Sequence, residues 1–460
     1  LSAQVPDTHY HTLTPSTDTP LAGAEQGARV TMDGSFVVVT SPSEPEIGVG
    51  GGFGVVRVYH FGSGLLLGKL VRPASIDSNS RFGIAVAISG NRVAVSSDFY
   101  DEVHLYDLGS ATPFQSVLSI ASPTSSHDDF GAVADLWDSQ PPTRQPRLDV
   151  GAVNSAGVAY VYDLAGATPS TPIHTLPNPF PRTGASFGRA VSISGNRLVI
   201  GAPDDDLSPF NRAGSAYAYN LASATPTAAT TLTNPAISSN DEFGLALSIS
   251  GTKAVIGAPG HSVGGWTKAG SAYVFDLASA TPGTATLTLD NPAPASLEKF
   301  GDSISSSGDG IAVGVPTDDV GVVVDAGRVF IYSLTSTTPA TPVAFFSNPA
   351  PATSDHFGQS VAASGMRVVV GAPNDDLTAP DGGAAWFYDL DGTTPLITVA
   401  NVSETVPQSG DAFGCDVALS GDRIVVGAQT DDTGAENSGR VYVFDLSSTT
   451  PLVPILTLNN

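Results

Sequence analysis

Apolar and polar residues alternate in short runs along this chain, and the runs recur as a set. In Phe243–Leu277, FGLALSISGTKAVIGAPGHSVGGWTKAGSAYVFDL, a period-two segment gives way to a β-branched run, a polar loop and a second alternating run. The same phrase opens at Phe82, Phe130, Phe187, Phe300, Phe357 and Phe413, with steps of 48, 57, 56, 57, 57 and 56 residues between successive markers. A worn copy opens at Gln26-Gly27, 56 residues before Phe82. Period-two patterning predicts strands, and a fixed long period predicts a repeat architecture. No segment shows helical periodicity of useful length.

Each unit predicts four strands. The first follows the Phe-Gly pair, as in Ala190–Ser194, and ends in a tight turn such as Gly195-Asn196 or Gly251-Thr252, residues that accept the positive φ of a two-residue hairpin. The second is apolar throughout, as in Arg197–Pro203 (RLVIGAP) and Arg367–Pro373 (RVVVGAP), and its proline ends the pairing because it has no N–H to donate. A polar loop leads to a third strand of the type GSAYVFDL. A fourth follows a Thr-Pro corner, as in Ala285–Asp290, and stops at Asn-Pro. Four short strands per unit, repeated radially, predict a β-propeller. The fold class is therefore all-β, an eight-bladed β-propeller of four-stranded antiparallel blades. The alternative is seven blades with the degenerate first repeat as an accessory. Residues 22–460 form the propeller and 1–21 an N-terminal arm.

The pairing of FG with GAP about 15 residues later, followed by an Ala-Tyr-Val-Phe type strand, resembles the FG-GAP repeat family, the blades of the integrin α-subunit propeller and its bacterial relatives. Calcium-binding members carry an Asp-x-Asp-x-Asp-Gly loop between the first and second strands. Here that turn is only SGN, SGT, SGD, SGM or DGS, too short and too poor in oxygen ligands to wrap Ca²⁺. The family's calcium sites are therefore not carried over, and no cofactor is expected.

Charge narrows the partners. The formal net charge is −25, which disfavours nucleic acid and anionic membrane surfaces. No apolar run is long enough to span a bilayer as a helix. Cys415 is the single cysteine, so no intramolecular disulfide forms, and nothing beside it in sequence would activate it as a nucleophile. The start at Leu1 without methionine fits a processed secreted or cell-surface protein and fits a trimmed chain equally.

Candidate chemistry lies in the loops. Those between second and third strands carry a recurrent acidic pair: Asp205-Asp206, Asp318-Asp319, Asp375-Asp376 and Asp431-Asp432. Repeat five has His261-Ser262 instead and adds Trp266 and Lys268. These loops share a propeller face with the inter-blade connections. Their carboxylates could hold a divalent cation or meet a basic partner; alternatively, one Asp of each pair accepts backbone N–H bonds and fixes the turn. Repeats two and three break the pattern, at Phe99 and Tyr100 and at Trp137, Arg144 and Arg147. Scaffolds depart from their repeat where function is placed, and also by neutral drift. The Phe of each FG should wedge between blades, its Gly permitting close backbone approach. His9–Thr14 (HYHTLT) resembles a fourth strand, yet the last repeat already has Leu456–Leu458. The arm therefore closes the ring, caps an edge, joins subunits through residues 8–14 by strand addition, or is a disordered extension.

No nucleophile elbow or zinc spacing is present, and the eight histidines occupy no shared repeat position. Three functions are consistent with this. The favoured one is a non-enzymatic extracellular or cell-surface scaffold that binds a protein or glycan, as in adhesion. The others are a self-assembling surface or filament subunit and a polysaccharide-acting lyase or hydrolase, since propellers also host enzymes.

Overall fold

The computed structural model describes residues 24–44, 54–61, 63, 65–73, 81–97, 102–121, 133–137, 147–152, 158–163, 170–377, 379–390, 398–402, 408–432, 435–448 and 453–459. Among these there is no helix; every regular element is a strand. The strands form a β-propeller of four-stranded antiparallel sheets. Eight such sheets are described, and each takes its four strands in order from a single repeat.

Repeat five shows how the pattern becomes a blade. Its strands are Leu247–Ser250, Lys253–Ala258, Ser271–Asp276 and Ala285–Asp290. Gly251 takes φ +60° in the two-residue turn that sets Ser250 opposite Lys253. The second strand is buried at five of its six positions, because both of its faces pack on neighbouring sheets. The fourth alternates exposed and covered residues, as expected of an outer strand.

First strands line the axis, and each touches the first strand of the next repeat around the molecule. The first strand of repeat one, Val30–Asp33, touches that of repeat eight, Phe413–Ser420, on one side and that of repeat two, Phe82–Ser89, on the other. The seam is built like any other joint. Glu25 and Gln26 donate their N–H groups to the carbonyls of Asn437 and Ser438, both at 3.1 Å. Glu242 and Phe243 bond Arg212 and Ala213 in the same way, also at 3.1 Å. Gln26 replaces the usual Phe at the seam and sends its amide to Tyr59 Oη at 3.3 Å.

The FG pair behaves as its chemistry requires. Phe243 is fully buried in a cluster that holds Val199 and Ala216 of repeat four together with Tyr273 and Phe275 of its own repeat. It is a wedge between sheets. Gly244 sits at φ +95°, and a Cβ there would lie 2.6 Å from the Ser215 carbonyl oxygen, so no other residue fits without moving the neighbouring strand. Residues 1–21 lie outside the described residues. Repeat eight is completed by its own fourth strand, Leu456–Asn459, paired to Arg440–Asp445. No helix of the described chain is long and apolar enough to cross a membrane.

Candidate functional site

The loops after the GAP strands are built on a shared backbone frame. The N–H of Asp205, Asp318, Asp375 and Asp431 turns back onto the carbonyl three residues earlier, and each residue's own carbonyl accepts the N–H of the glycine that opens the third strand. In repeat five His261 makes the same two bonds, to Ala258 and Gly270. The frame thus belongs to the repeat, and the side chain at this position can change without altering it.

The two members of each acidic pair divide their work. The second accepts a backbone N–H farther along its own loop: Asp206 from Arg212 (2.7 Å), Asp319 from Asp325 (3.0 Å), Asp376 from Asp381 (2.8 Å) and Asp432 from Asn437 (2.6 Å). Each donor residue has φ between +47° and +54°. Such a backbone is strained for an L-residue, and a carboxylate bonded to it holds the turn in place. The first Asp of each pair is wholly buried. Asp205 accepts from Arg182 and Ser215, Asp318 from Arg328 at 2.9 Å, Asp375 from Asn348 at 2.6 Å, and Asp431 from Tyr442 at 2.8 Å. Repeat one reaches the same end with a different pair, Glu44 held by both terminal guanidinium nitrogens of the buried Arg57 at 2.6 and 2.7 Å.

A second row of buried acids, two residues before the FG of repeats five to eight, completes the site and was not singled out from the sequence. Asp241, Glu298, Asp355 and Asp411 occupy it, all at 4 % exposure or less. Each accepts the N–H three residues before it, from Ser238, Ala295, Ala352 and Gln408. Three also accept the side-chain amide of the Asn that ends the preceding blade: Asn234 to Asp241, Asn291 to Glu298 and Asn348 to Asp355. The readable signal was the constant seven-residue step from Asn-Pro to the acid, repeated three times.

The two rows meet, and their charge differs by repeat. In repeat five His261 Nδ1 lies 3.0 Å from Asp241 Oδ1. Burial alone would push the Asp241 carboxyl up, but hydrogen bonds from His261 and Ser238 hold it below the usual carboxylate range. In repeat seven the Asn348 amide bridges Asp355 and Asp375, at 2.6 Å to each. Burial, with the Asp375 charge added, pushes Asp355 up to about 7. Burial also raises Asp375. In repeat six burial pushes Asp318 up to about 7 against the pull of Arg328. Taking carboxylates out of water favours their neutral form unless a cation or several donors compensate.

The remaining candidates are scattered. Phe99, Tyr100 and Arg144 lie outside the described residues. Trp137 and Arg147 sit opposite each other at the ends of two paired strands in repeat three. Trp266 is half-exposed at a loop tip, where it exchanges backbone bonds with Val263 at 2.9 and 3.1 Å. Cys415 is a free thiol that burial pushes up to about 12, far from a thiolate nucleophile. His104, buried beside Ser119, is lowered to about 4 by burial and stays neutral at physiological pH. Among the described residues no three His, Cys, Asp or Glu side chains converge as a metal ion requires.

What the loops do chemically is therefore clear in one respect: their inner carboxylates stiffen a face, and their tips are left to solvent. Comparison with known families fits this repeat anatomy. The FG-GAP repeat model matches residues 181–219, 227–275, 349–388 and 402–444. A comparison with curated protein sequences finds no match.

Proposed function

Because the chain carries FG-GAP repeats, we propose that it is a non-enzymatic binding scaffold, secreted or held at the cell surface, presenting its inter-strand loops to a protein or glycan partner. The observation that supports this reading is the division of labour within each acidic pair. The second carboxylate fixes a turn of its own loop and the first ties that loop to a neighbouring strand or connector, which makes the face rigid, while side chains such as Trp266 (49 % exposed) and Leu377 (44 % exposed) project from the tips. A pre-ordered loop loses little entropy on binding, so exposed tips on a stiff face suit recognition. Defined oligosaccharides and short synthetic peptides would be screened against the wild type and against Trp266→Ala and Leu377→Ser. Binding weakened about tenfold by either substitution is the expected result. Loop-insensitive binding, or new reducing ends appearing from a polysaccharide probe, would sink the reading, the latter in favour of the hydrolase or lyase alternative.

One observation favours a second reading, self-assembly through residues 8–14. Every described sheet already draws four strands from its own repeat, so the strand-like arm sequence has no vacant slot among them. Light scattering on the intact chain and on one lacking residues 1–20 separates the two. Oligomers that vanish on truncation would establish assembly, and identical monomers would remove it.

A further inference from the structure

The loop face is not uniform around the ring, and one sector has a definite chemistry. In repeats six and seven the loops spanning 316–327 and 373–383, and the connector 348–356 between them, contain no lysine or arginine. Asp319, Asp376 and Asp381 are exposed there, while Asp318, Asp355 and Asp375 are buried beneath. The corresponding loops of repeats four and five carry Arg212 and Lys268, and Arg212 pairs with Asp204 and Glu242. In repeats six and seven the one cation beside these loops, Arg328, is spent on the buried Asp318 at 2.9 Å, and among the described residues the exposed Asp319, Asp376 and Asp381 form no ion pair.

The open sector also presents apolar side chains. Val322 is 96 % exposed, Val324 50 % and Leu377 44 %. The two loops are joined through the connector: Ser354 donates its N–H to the Val324 carbonyl at 3.0 Å, His356 to that of Asp325 at 3.2 Å, and the His356 ring meets Asn374 at 3.3 Å. Val320 and Val323 exchange backbone bonds at the tip, so Val322 is held outward by a closed turn. An aliphatic side chain fixed in water contributes nothing to folding by burial; a partner that covers it would recover that term.

We propose that this sector of repeats six and seven is a docking surface for a cationic polypeptide segment whose Lys or Arg residues flank an aliphatic or aromatic anchor. The inference rests on the scaffold reading and specifies its ligand. Charge complementarity selects the partner. Exposed carboxylates without local cations attract basic side chains and repel anionic polymers and acidic proteins. The exposed Val322, with the half-exposed Val324 and Leu377, selects an apolar anchor, which a neutral glycan does not offer.

The test is fluorescence anisotropy with three short labelled peptides, alternating Lys/Leu, Lys/Ser and Glu/Leu, against the wild-type protein. The Lys/Leu peptide should bind about tenfold tighter than either control. Val322→Ser with Val324→Ser and Leu377→Ser should weaken it about tenfold, as should Asp319→Asn with Asp376→Asn and Asp381→Asn. The asparagines keep the acceptor oxygens that hold the turns, so folding is preserved, and unchanged melting curves verify it. Val117→Ser, an exposed valine beside the fourth strand of repeat two and away from these loops, should leave this binding unchanged. Equal binding of Lys/Ser, or Lys/Leu binding untouched by both triple variants, overturns the proposal. So does absence of Lys/Leu binding. If Glu/Leu or an oligosaccharide binds instead and is lost with Trp266→Ala, the assignment fails while the scaffold reading survives. If no probe depends on any loop, both fail.

Discussion

Repeats five and seven solve one problem in opposite ways. Both bury a pair of polar side chains where the post-GAP loop meets the segment before FG, on the same backbone frame. Repeat five sets His261 against Asp241, which holds its charge. Repeat seven sets Asp375 beside Asp355, and burial pushes that carboxyl up to about 7. In repeats five to eight the buried acid before FG accepts the loop N–H three residues earlier, and in five to seven an Asn amide as well. The frame does not dictate charge. One side chain, His or Asp, decides whether the joint is ionic or favours a neutral carboxyl.

The contrast is tested most severely by deleting the acid in each repeat. Asp241→Ala strands the Asn234 amide, both polar groups of Ser238 and the His261 ring, and should cost about 3–4 kcal/mol by denaturant unfolding. Asp355→Ala strands the Ala352 N–H and one of the two bonds made by Asn348, and it relieves repulsion with Asp375. Its cost should be smaller, about 1–2 kcal/mol. Equal losses would mean that the two joints are energetically alike and that the His/Asp distinction is immaterial.

Much of this was legible in the chain. Every strand of repeat five follows from alternation, a Gly-Thr turn and a terminating proline, and the wedge role of Phe243 follows from its recurrence. The recurrent Asp pairs were visible as well, with turn-fixing as one of two readings, but sequence could not divide them into a buried member and one nearer solvent, because adjacent residues of a loop carry no period. Asp241 and Asp355 escaped notice for a different reason. Each stands alone before FG, and its significance lies in an amide seven residues back and a loop from the far side of the same blade. Those contacts exist only after the blade has folded against the connector that precedes it. The apolar tip at Val322 has a local cause, the Val320–Val323 turn, which the run of valines hides.

The next prediction changes the pair rather than deleting it. Asp375→His would give repeat seven the arrangement of repeat five. In the wild type Asp355 has a folded pKa of about 7 against an ordinary 3.8, so the native state keeps a proton that the unfolded chain releases. Its contribution is complete below about pH 4 and is lost as pH rises to about 7. With an imidazole partner the carboxylate would stay charged, as Asp241 does, and that loss should shrink by on the order of 2 kcal/mol between pH 4.5 and 7.5. Denaturant midpoints across this range provide the check. A variant that keeps the wild-type slope would show that burial alone, and not the partner, sets the charge.

The smallest effect is the most discriminating, because one substitution should act with opposite sign in the two repeats. Asparagine is a permanent stand-in for a protonated aspartate. In Asp355→Asn the amide oxygen can keep both bonds that Oδ2 accepts, from Ala352 and Asn348, and the group that replaces Oδ1 enters a place where that oxygen already lacks a partner. At pH 8 the variant removes a charge that burial penalises, so it should gain about 1 kcal/mol; at pH 5, where the wild type is already protonated, it should gain nothing. In Asp241→Asn the same change removes the charge that His261 and Ser238 hold, and should cost about 1–2 kcal/mol at pH 6 and above. Thermal melts of both variants at pH 5 and pH 8 decide the matter. A gain at Asp355 confined to the higher pH, with a loss at Asp241, requires that identical frames carry different protonation states; the same sign at both positions would leave the frame, and not the side chain opposite, in control of charge.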